Sequence, residues 1–291
     1  MTRTMLTAPA ASQSGVFRIG GERPVARLGF GAMRITGPGI WGPPRGHDEA
    51  IRVLRRAVAL GVTFIDTADS YGPYVSEELI REALYPYPGD LVIATKAGLV
   101  RTGPDAWHPV GRPEYLRQEA EMSLRRLRLE RIELFQLHRI DPLVPFEDQI
   151  GVLADLQAEG KIGHIGLSNI SVEEILAAQL ITTIATVQNR YSPRHRESEQ
   201  VLNFCSDEGL GFIPWSPIAG GTLSRSASKC AALARQCGVT PSQIALAWLL
   251  RRSPVMLPIP GTSSVAHLEE NLAAAAIHLT DTQFEVITSG L

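Results

Sequence analysis

Four side chains of this sequence have the chemistry to deliver a proton together: Asp66, Tyr71, Lys96 and His138. A tyrosine is a weak acid with a reference pKa of about 10, and a neighbouring ammonium group lowers that pKa. Lys96 would supply the ammonium group, Asp66 would hold Lys96 in place, and His138 would hydrogen-bond a carbonyl oxygen. The set predicts that Tyr71 gives a proton to a carbonyl oxygen while the carbonyl carbon receives a nucleophile.

Three of the four residues have a plainer interpretation when each is taken alone. A lone Asp after a strand often caps a helix, a lone Lys often pairs with an acid, and a lone His often packs in a core. The argument depends on their shared position, because Asp66, Lys96 and His138 each follow an apolar run, where the reactive groups of a βα barrel collect. The sequence shows no metal-ligand spacing, so a hydride from a bound cofactor is the expected nucleophile.

The elements that would position these residues alternate along the chain. Short apolar runs are separated by stretches of helical period, which predicts buried parallel strands covered by helices. The number of runs and the absence of an early G-x-G-x-x-G motif favour an α/β fold of the (β/α)₈ TIM barrel type. The eight runs lie at residues 28–30, 63–65, 91–94, 134–137, 162–167, 184–187, 211–213 and 255–259.

Four helices can be predicted from their apolar faces and their ends. One begins near His47, and a second begins near Pro113, a residue that suits the first helical position. A third runs from Phe146 to Glu159 before Gly160, and a fourth spans 241–252.

The amino-terminal part predicts a hairpin before the barrel. Val16 to Ile19 forms a strand, Gly20 and Gly21 turn the chain, and the return strand runs toward Val25. This β-hairpin would close one end of the barrel. Residues 1–15 are expected to be a flexible tail, and residues 16–291 a single domain.

Composition excludes several classes of partner. The net charge is -2, from 28 basic and 30 acidic residues, which gives no electrostatic reason to expect nucleic acid or an acidic membrane. No apolar stretch suggests a membrane span or a signal peptide. The three cysteines lack paired spacing, which indicates reduced thiols and a cytoplasmic location. The sequence does not indicate an oligomeric state.

Around these residues the sequence resembles the aldo-keto reductase family, in the order of that family's motifs and over nearly the whole chain. The resemblance implies a (β/α)₈ barrel, an NAD(P)H cofactor bound without a Rossmann domain, reduction of aldehydes or ketones, and a catalytic tetrad on Asp66, Tyr71, Lys96 and His138. The matching stretches are 64–72, 93–96, 137–138, 166–169, 187–188 and 259–261 through 270–271.

The resemblance also implies cofactor contacts, residue by residue. In the family, the equivalents of Ser168, Asn169 and Gln188 bind the nicotinamide carboxamide, and an aromatic ring at Trp215 stacks on the nicotinamide. The remaining contacts implied are Ser216, Ile218 and Gly220 along the pyrophosphate, Gly261, Thr262 and Ser263 at the adenosine phosphate, and Glu270 and Asn271 at the adenine.

One departure from the family concerns the 2′-phosphate of NADPH. Many NADPH-specific members place Lys or Arg in the last loop, where this chain has Gly261 and His267. We still expect NADPH, because most of the family uses it, and NAD(H) stays open.

The substrate is expected to be a small carbonyl compound bounded by Met33, Trp41, Trp107 and Arg139. The two tryptophans have a plainer interpretation as loop-packing residues, and Arg139 as an ion-pair partner of Asp141. Three segments are similar to a bacterial branch associated with pyridoxal reduction, which suggests pyridoxal as substrate. The three segments similar to that branch are 37–44, 80–87 and 262–268.

Two alternative functions stay open. One is a barrel lyase that forms a Schiff base on Lys96, and the other is a non-catalytic, nucleotide-binding sensor or auxiliary relative.

Overall fold

Seven parallel strands curl into the wall of a barrel in the computed structural model of this chain, which describes residues 11–218 and 229–289. Each strand pairs in parallel with the next of the seven along the chain. Numbered with all strands in chain order, they are β3 (Phe30–Gly31), β4 (Phe64–Asp66), β5 (Val92–Ala97), β8 (Ile132–Leu137), β9 (Ile162–Ser168), β10 (Ile184–Gln188) and β11 (Gly211–Phe212).

The last of the eight apolar runs closes the barrel without forming a regular strand. The N–H of Leu257 donates to the carbonyl oxygen of Phe212 (2.8 Å), and the N–H of Gly29 donates to that of Pro258 (2.9 Å). Because Pro258 and Pro260 have no N–H, this segment cannot complete a ladder on either side. The predicted eighth strand is therefore corrected to an irregular segment in the eighth place, while the predicted barrel architecture is confirmed.

An antiparallel hairpin closes the amino-terminal end of the barrel, as predicted. Its strands are β1 (Val16–Ile19) and β2 (Arg23–Ala26). The N–H of Ala26 donates to Oγ1 of Thr63, directly before β4, at 2.8 Å. The hairpin side chains Ile19 and Val25 complete the packed interior of the barrel, together with Phe64, Val92, Ala94, Leu134, Ala185, Ile213, Leu257 and Ile259.

Helices cover the outer surface of the sheet and bury their apolar stripes against it. All four helices predicted from sequence are present, and Ile51, Leu54 and Ala57 form the buried face of the first. The described helices are α1 (His47–Ala59), α2 (Val75–Leu84), α3 (Pro113–Leu127), α4 (Phe146–Ala158), α5 (Val172–Gln179), α6 (Glu199–Glu208), α7 (Lys229–Cys237), α8 (Pro241–Arg252), α9 (Val265–Ala273) and α10 (Asp281–Thr288).

A second antiparallel hairpin, which sequence reasoning missed, follows β5. It consists of β6 (Leu99–Gly103) and β7 (Ala106–Pro109), with Arg101 opposite Trp107. The hairpin forms a sheet of its own, separate from the barrel wall. It lies next to the carboxyl ends of the barrel strands because β6 continues directly from β5.

The folded part of the chain includes residues before the predicted boundary at residue 16. Residues 11–14 form a 3₁₀ turn, in which Ala11 is buried and its N–H donates to the carbonyl oxygen of Leu60. Oγ of Ser14 accepts from the N–H of Leu28 at 2.9 Å. Residues 11–15 of the expected tail are thus packed on the domain, and residues 1–10 lie outside the described residues.

All three cysteines are free thiols, with Cys205 and Cys230 buried and Cys237 exposed. Burial raises the pKa of the Cys205 thiol to about 12 and that of the Cys230 thiol to about 11. Within residues 11–218 and 229–289, no helix combines the length and the apolar character needed to cross a membrane.

Arg27 fastens the closing segment of the barrel to its neighbours. Its Nη2 donates to the carbonyl oxygens of Leu250 (2.7 Å) and Ser253, and its Nε donates to that of Met256 (3.2 Å). Its Nη1 donates to the carbonyl oxygen of Ser14. One guanidinium group therefore joins the 3₁₀ turn, the end of α8 and the eighth segment.

We expect Arg27→Met to lower the free energy of unfolding by about 2–3 kcal/mol, because buried carbonyl oxygens lose their donors. Urea denaturation followed by circular dichroism measures the change. An unchanged midpoint would show that water replaces the guanidinium group at no cost.

Candidate active site

A buried ion pair lies at the carboxyl ends of β4 and β5. Lys96 Nζ lies 2.6 Å from Asp66 Oδ2 and 3.3 Å from the hydroxyl oxygen of Tyr71, and it also donates to the carbonyl oxygen of Thr67 at 2.8 Å. Lys96 is fully buried, and Asp66 and Tyr71 are nearly so. The structure thus brings together three of the four residues that the sequence singled out, around one ammonium group.

Two glutamine side chains hold the second oxygen of the Asp66 carboxylate. Nε2 of Gln136 and Nε2 of Gln188 donate to Asp66 Oδ1 at 3.0 and 2.8 Å. Gln188 was predicted as a cofactor contact, whereas Gln136 was missed. Its signal in the sequence is a polar residue in the middle of an apolar strand, and it is fully buried in β8. The two amides orient Asp66 so that its other oxygen faces Lys96.

Burial sets the protonation of Tyr71. It raises the pKa of the phenol, the charge of Lys96 lowers it, and Asp66 raises it again, so that the pKa ends above its ordinary value. The charge of Lys96 thus acts in the expected direction, but burial outweighs it. For Lys96, burial lowers the pKa, but the charge of Asp66 and the hydrogen bonds to Asp66 and Tyr71 together outweigh burial, and the pKa is raised. Tyr71 therefore keeps its proton at neutral pH beside a charged Lys96.

His138 completes the group from the end of β8. Its ring lies edge-on to Tyr71, with the ring centroids 5.8 Å apart. Burial, helped by the charges of Lys96 and Arg139, holds the pKa of the imidazole well below its usual range. The neutral ring has Nδ1 3.4 Å from Oγ of Ser70. It can therefore present its other nitrogen to a bound molecule.

A cavity of about 1390 Å³ opens above these residues. Sites for one small ligand usually measure roughly 300–1,000 Å³, so this cavity has room for a cofactor together with a substrate. Lys96 lies behind the wall, and its charge reaches the cavity through Tyr71. The predicted residues that line the cavity are Met33, Asp66, Tyr71, Trp107, His138, Arg139, Ser168, Asn169, Gln188, Trp215, Ser216, Ile218, Gly261, Thr262 and Ser263.

The wall at the ends of β9 and β11 is suited to a flat amide-bearing ring. Nε1 of Trp215 donates to Oδ1 of Asn169 at 3.0 Å, and Nδ2 of Asn169 donates to Oγ of Ser168 at 2.7 Å. This chain of hydrogen bonds fixes the indole ring at the cavity edge. The aromatic face, the amide and the hydroxyl group fit the requirements of a nicotinamide ring.

Several predicted contacts do not line the cavity. The centroid of the Trp41 ring lies 5.8 Å from the central carbon of the Arg101 guanidinium group, and Trp41 is not among the lining residues. Glu270 accepts a hydrogen bond from Oγ1 of Thr240 at 2.7 Å and so connects α9 to the start of α8. His267 is exposed on α9 and Asn271 is buried beneath it. The predicted contact Gly220 lies outside the described residues.

Two arginine side chains line the cavity beside the last loop. Arg34 and Arg45, from the segment between β3 and α1, line the cavity with Gly261, and neither has a hydrogen-bond or ion-pair partner among residues 11–218 and 229–289. A Cβ on Gly261 would lie 3.5 Å from Cγ of Arg34, so this side chain passes over the loop. The nearby Glu49 carboxylate is already paired with Arg52 and with the first N–H of α9.

The depressed pKa of His138 gives a prediction about stability. The unfolded chain gains a proton on this residue below a pH of about 6.5, whereas the folded chain does not, so stability falls as the pH drops below that value. We expect the free energy of unfolding to fall more steeply in the native protein than in His138→Gln, by up to about 1.4 kcal/mol per pH unit. Urea denaturation between pH 7.5 and 5 measures this, and parallel curves would contradict it.

Comparison with known proteins agrees with this geometry. Residues 27–290 match the model of the aldo/keto reductase family. The chain is 52% identical over 278 residues to an uncharacterized oxidoreductase of Schizosaccharomyces pombe, covering 96% of this chain and 90% of that protein. It is 46% identical over 268 residues to a pyridoxine 4-dehydrogenase of Escherichia coli, covering 90% and 93%.

Solved structures resemble the whole fold. A glycerol dehydrogenase from Gluconobacter oxydans superposes with a TM-score of 0.86 at 26% identity, covering 95% of this chain and 94% of that one. An aldo-keto reductase from Klebsiella pneumoniae in complex with NADPH superposes with a TM-score of 0.79 at 26% identity, covering 94% of each chain. Sequence, barrel and buried lysine agree, and the chain belongs to the aldo/keto reductase family of oxidoreductases.

Proposed function

We propose that this enzyme reduces pyridoxal to pyridoxine with NADPH, using Tyr71 as the proton donor. The observation that carries the reaction type is the phenol of Tyr71, which is kept protonated at the cavity wall while its oxygen accepts from Lys96. The substrate is supported by the 46% identity to a pyridoxine 4-dehydrogenase. The coenzyme is supported by the related reductase in complex with NADPH.

Lys96 and His138 would each assist Tyr71 in a different part of proton delivery. The Tyr71 oxygen accepts a hydrogen bond from Lys96, so the phenol keeps its own proton to donate to a carbonyl oxygen. As the proton leaves, the developing phenolate is stabilised by the ammonium charge 3.3 Å away. The neutral His138 would donate a second hydrogen bond to the same carbonyl oxygen and hold it in the plane needed for attack.

The coenzyme would supply the hydride for the carbonyl carbon. Asn169, Ser168 and Gln188 offer the amide and hydroxyl groups that suit a carboxamide, and Trp215 offers a ring to stack on. Arg34 and Arg45 offer positive charge for the phosphates, in place of the cation that the last loop lacks.

Arg139 lines the substrate part of the cavity and has no ion-pair partner within residues 11–218 and 229–289. The alternative that Arg139 pairs with Asp141 is not what the structure has, because the Asp141 carboxylate accepts from the N–H groups of Gly111 and Leu143, both at 2.9 Å. A guanidinium group beside His138 suits a substrate with an anionic oxygen close to its aldehyde. The ionised phenolic oxygen of pyridoxal is ortho to the aldehyde and meets that requirement.

A Schiff base on Lys96 is disfavoured as an alternative. The nitrogen has three hydrogen-bond acceptors and a raised pKa, so it is charged and has no free lone pair for attack on a carbonyl. A non-catalytic nucleotide-binding role is also disfavoured, because the chain is an oxidoreductase of the aldo/keto reductase family.

The test of the proposed reaction is oxidation of NADPH with pyridoxal, followed by absorbance. We expect turnover by the native protein and a loss of at least about 100-fold in kcat for Tyr71→Phe, with cofactor affinity retained, because the general acid is removed. Benzaldehyde is the comparison substrate. Turnover of benzaldehyde without turnover of pyridoxal would contradict the substrate, and an active Tyr71→Phe would contradict the proton donor.

The cofactor preference depends on charge near the phosphates. We expect the native protein to bind NADPH more tightly than NADH, and the double variant Arg34→Gln/Arg45→Gln to lose about tenfold or more of that ratio, since each charge-assisted contact stabilises binding by about 1.5–3 kcal/mol. Parallel titrations of tryptophan fluorescence with NADPH and NADH measure it. Arg139→Gln is the matched control and should leave the ratio unchanged. Equal affinities in the native protein would contradict the preference.

A further inference from the structure

One guanidinium group binds three separate segments at the mouth of the cavity. Arg101 of β6 uses all five of its N–H groups, each on a backbone carbonyl oxygen. Such a group has no donor left for solvent or substrate, so its part is to hold the backbone. Nε donates to the carbonyl oxygen of Ala106 (3.0 Å). Nη1 donates to those of Ile40 (2.6 Å) and Ser70 (3.1 Å), and Nη2 donates to those of Gly39 (2.8 Å) and Gly103 (3.2 Å).

The same guanidinium group lies flat on an aromatic ring of the cavity. Its central carbon is 3.5 Å from the ring centroid of Trp107. The Trp107 ring also lies edge-on to Tyr71 and to His138, with both centroid separations at 6.4 Å and interplanar angles of 85° and 69°. Trp107 is thus held between the guanidinium group and the residues that would handle the carbonyl oxygen.

The hairpin that carries Trp107 needs outside support. β6 and β7 form a two-stranded sheet, and a two-stranded hairpin alone is marginally stable in water. Besides Arg101, the hairpin is tied by the N–H of Asp105, which donates to the carbonyl oxygen of Gly39 at 2.9 Å. Arg101 therefore supplies much of what fixes the angle of the indole ring.

We propose that Arg101 is a positioning residue that holds Trp107 as a rigid flat wall, and that this wall makes the site selective for planar aromatic aldehydes over aliphatic ones. The inference rests on the proposed reductase function and names its substrate class. A flat, fixed ring gives a planar substrate a full stacking contact, whereas a flexible aliphatic chain gains little from the rigidity of the wall.

Substitution of Arg101 tests the inference through the ratio of two substrates. For Arg101→Met, we expect kcat/KM for benzaldehyde to fall about tenfold or more, mainly through KM, while the value for propanal changes less than about threefold. Arg101→Lys is the second variant, since an ammonium group keeps the charge but cannot replace the planar fork. The ratio of kcat/KM for benzaldehyde to that for propanal should also fall in Arg101→Lys.

Arg27→Met is the matched control, because Arg27 also donates to several backbone carbonyl oxygens but lies at the other end of the barrel. It should lower stability and leave the benzaldehyde-to-propanal ratio unchanged. A proportional loss of both substrates in Arg101→Met, or an equal change of ratio in Arg27→Met, would overturn the inference.

A double-mutant cycle tests whether Arg101 acts through Trp107. Trp107→Ala should shift the ratio as Arg101→Met does, and the two changes combined should shift it no further, because they remove the same wall. Additive shifts would assign the selectivity to two independent contacts and would contradict the positioning role.

Binding without turnover separates this inference from the proposed function. Benzyl alcohol is titrated against the protein with NADP⁺ present, and tryptophan fluorescence is followed. Arg101→Met should weaken benzyl alcohol about tenfold and leave 1-propanol unaffected, even if neither aldehyde is reduced. If the native protein turned over neither aldehyde, only the proposed reductase function would be refuted. If alcohol binding were unchanged in Arg101→Met, only the role of Trp107 as a rigid wall would be refuted.

Discussion

The contact between the Lys96 ammonium group and the Asp66 carboxylate is the constraint on which the site depends. Two opposite charges buried in an apolar barrel are tolerated when their remaining hydrogen-bonding capacity is satisfied. Gln136, Gln188 and the carbonyl oxygen of Thr67 provide that satisfaction here. The strand ends must therefore keep their spacing, since a small displacement would leave a charge unpaired. The same spacing of the strand ends is therefore needed both for the geometry of the candidate site and for closure of the barrel.

The grouping of the candidate residues at one end of the barrel could be predicted because their positions follow from strand order alone. In a parallel barrel every carboxyl end faces one side, so residues placed directly after apolar runs meet without knowledge of the loops. Asp66, Lys96 and His138 come together for this reason. The run 255–259 also occupies its expected place in the wall, although its prolines prevent a regular strand.

The features that were missed depend on loop conformation or on burial. Arg34 and Arg45 reach the cavity, and Arg101 reaches the ring of Trp107, from segments whose paths are not encoded by a periodic pattern. Glu270 matches a ligand-binding position in the sequence, but its carboxylate accepts a hydrogen bond from Oγ1 of Thr240 at the N-cap of α8. The direction of the Tyr71 pKa depends on the balance of burial against one charge, and a sequence contains no measure of burial at a single hydroxyl group.

The protonated state of Tyr71 has a consequence for reversibility. In the proposed mechanism the reverse reaction removes a proton from an alcohol, and the Tyr71 oxygen would then act as the base, which requires the phenolate. Because the pKa of Tyr71 lies above that of a free tyrosine, this form is scarce near neutrality. In the proposed mechanism the rate of alcohol oxidation would therefore depend on pH through this one hydroxyl group. It would rise as the solution becomes alkaline and the phenolate becomes more populated.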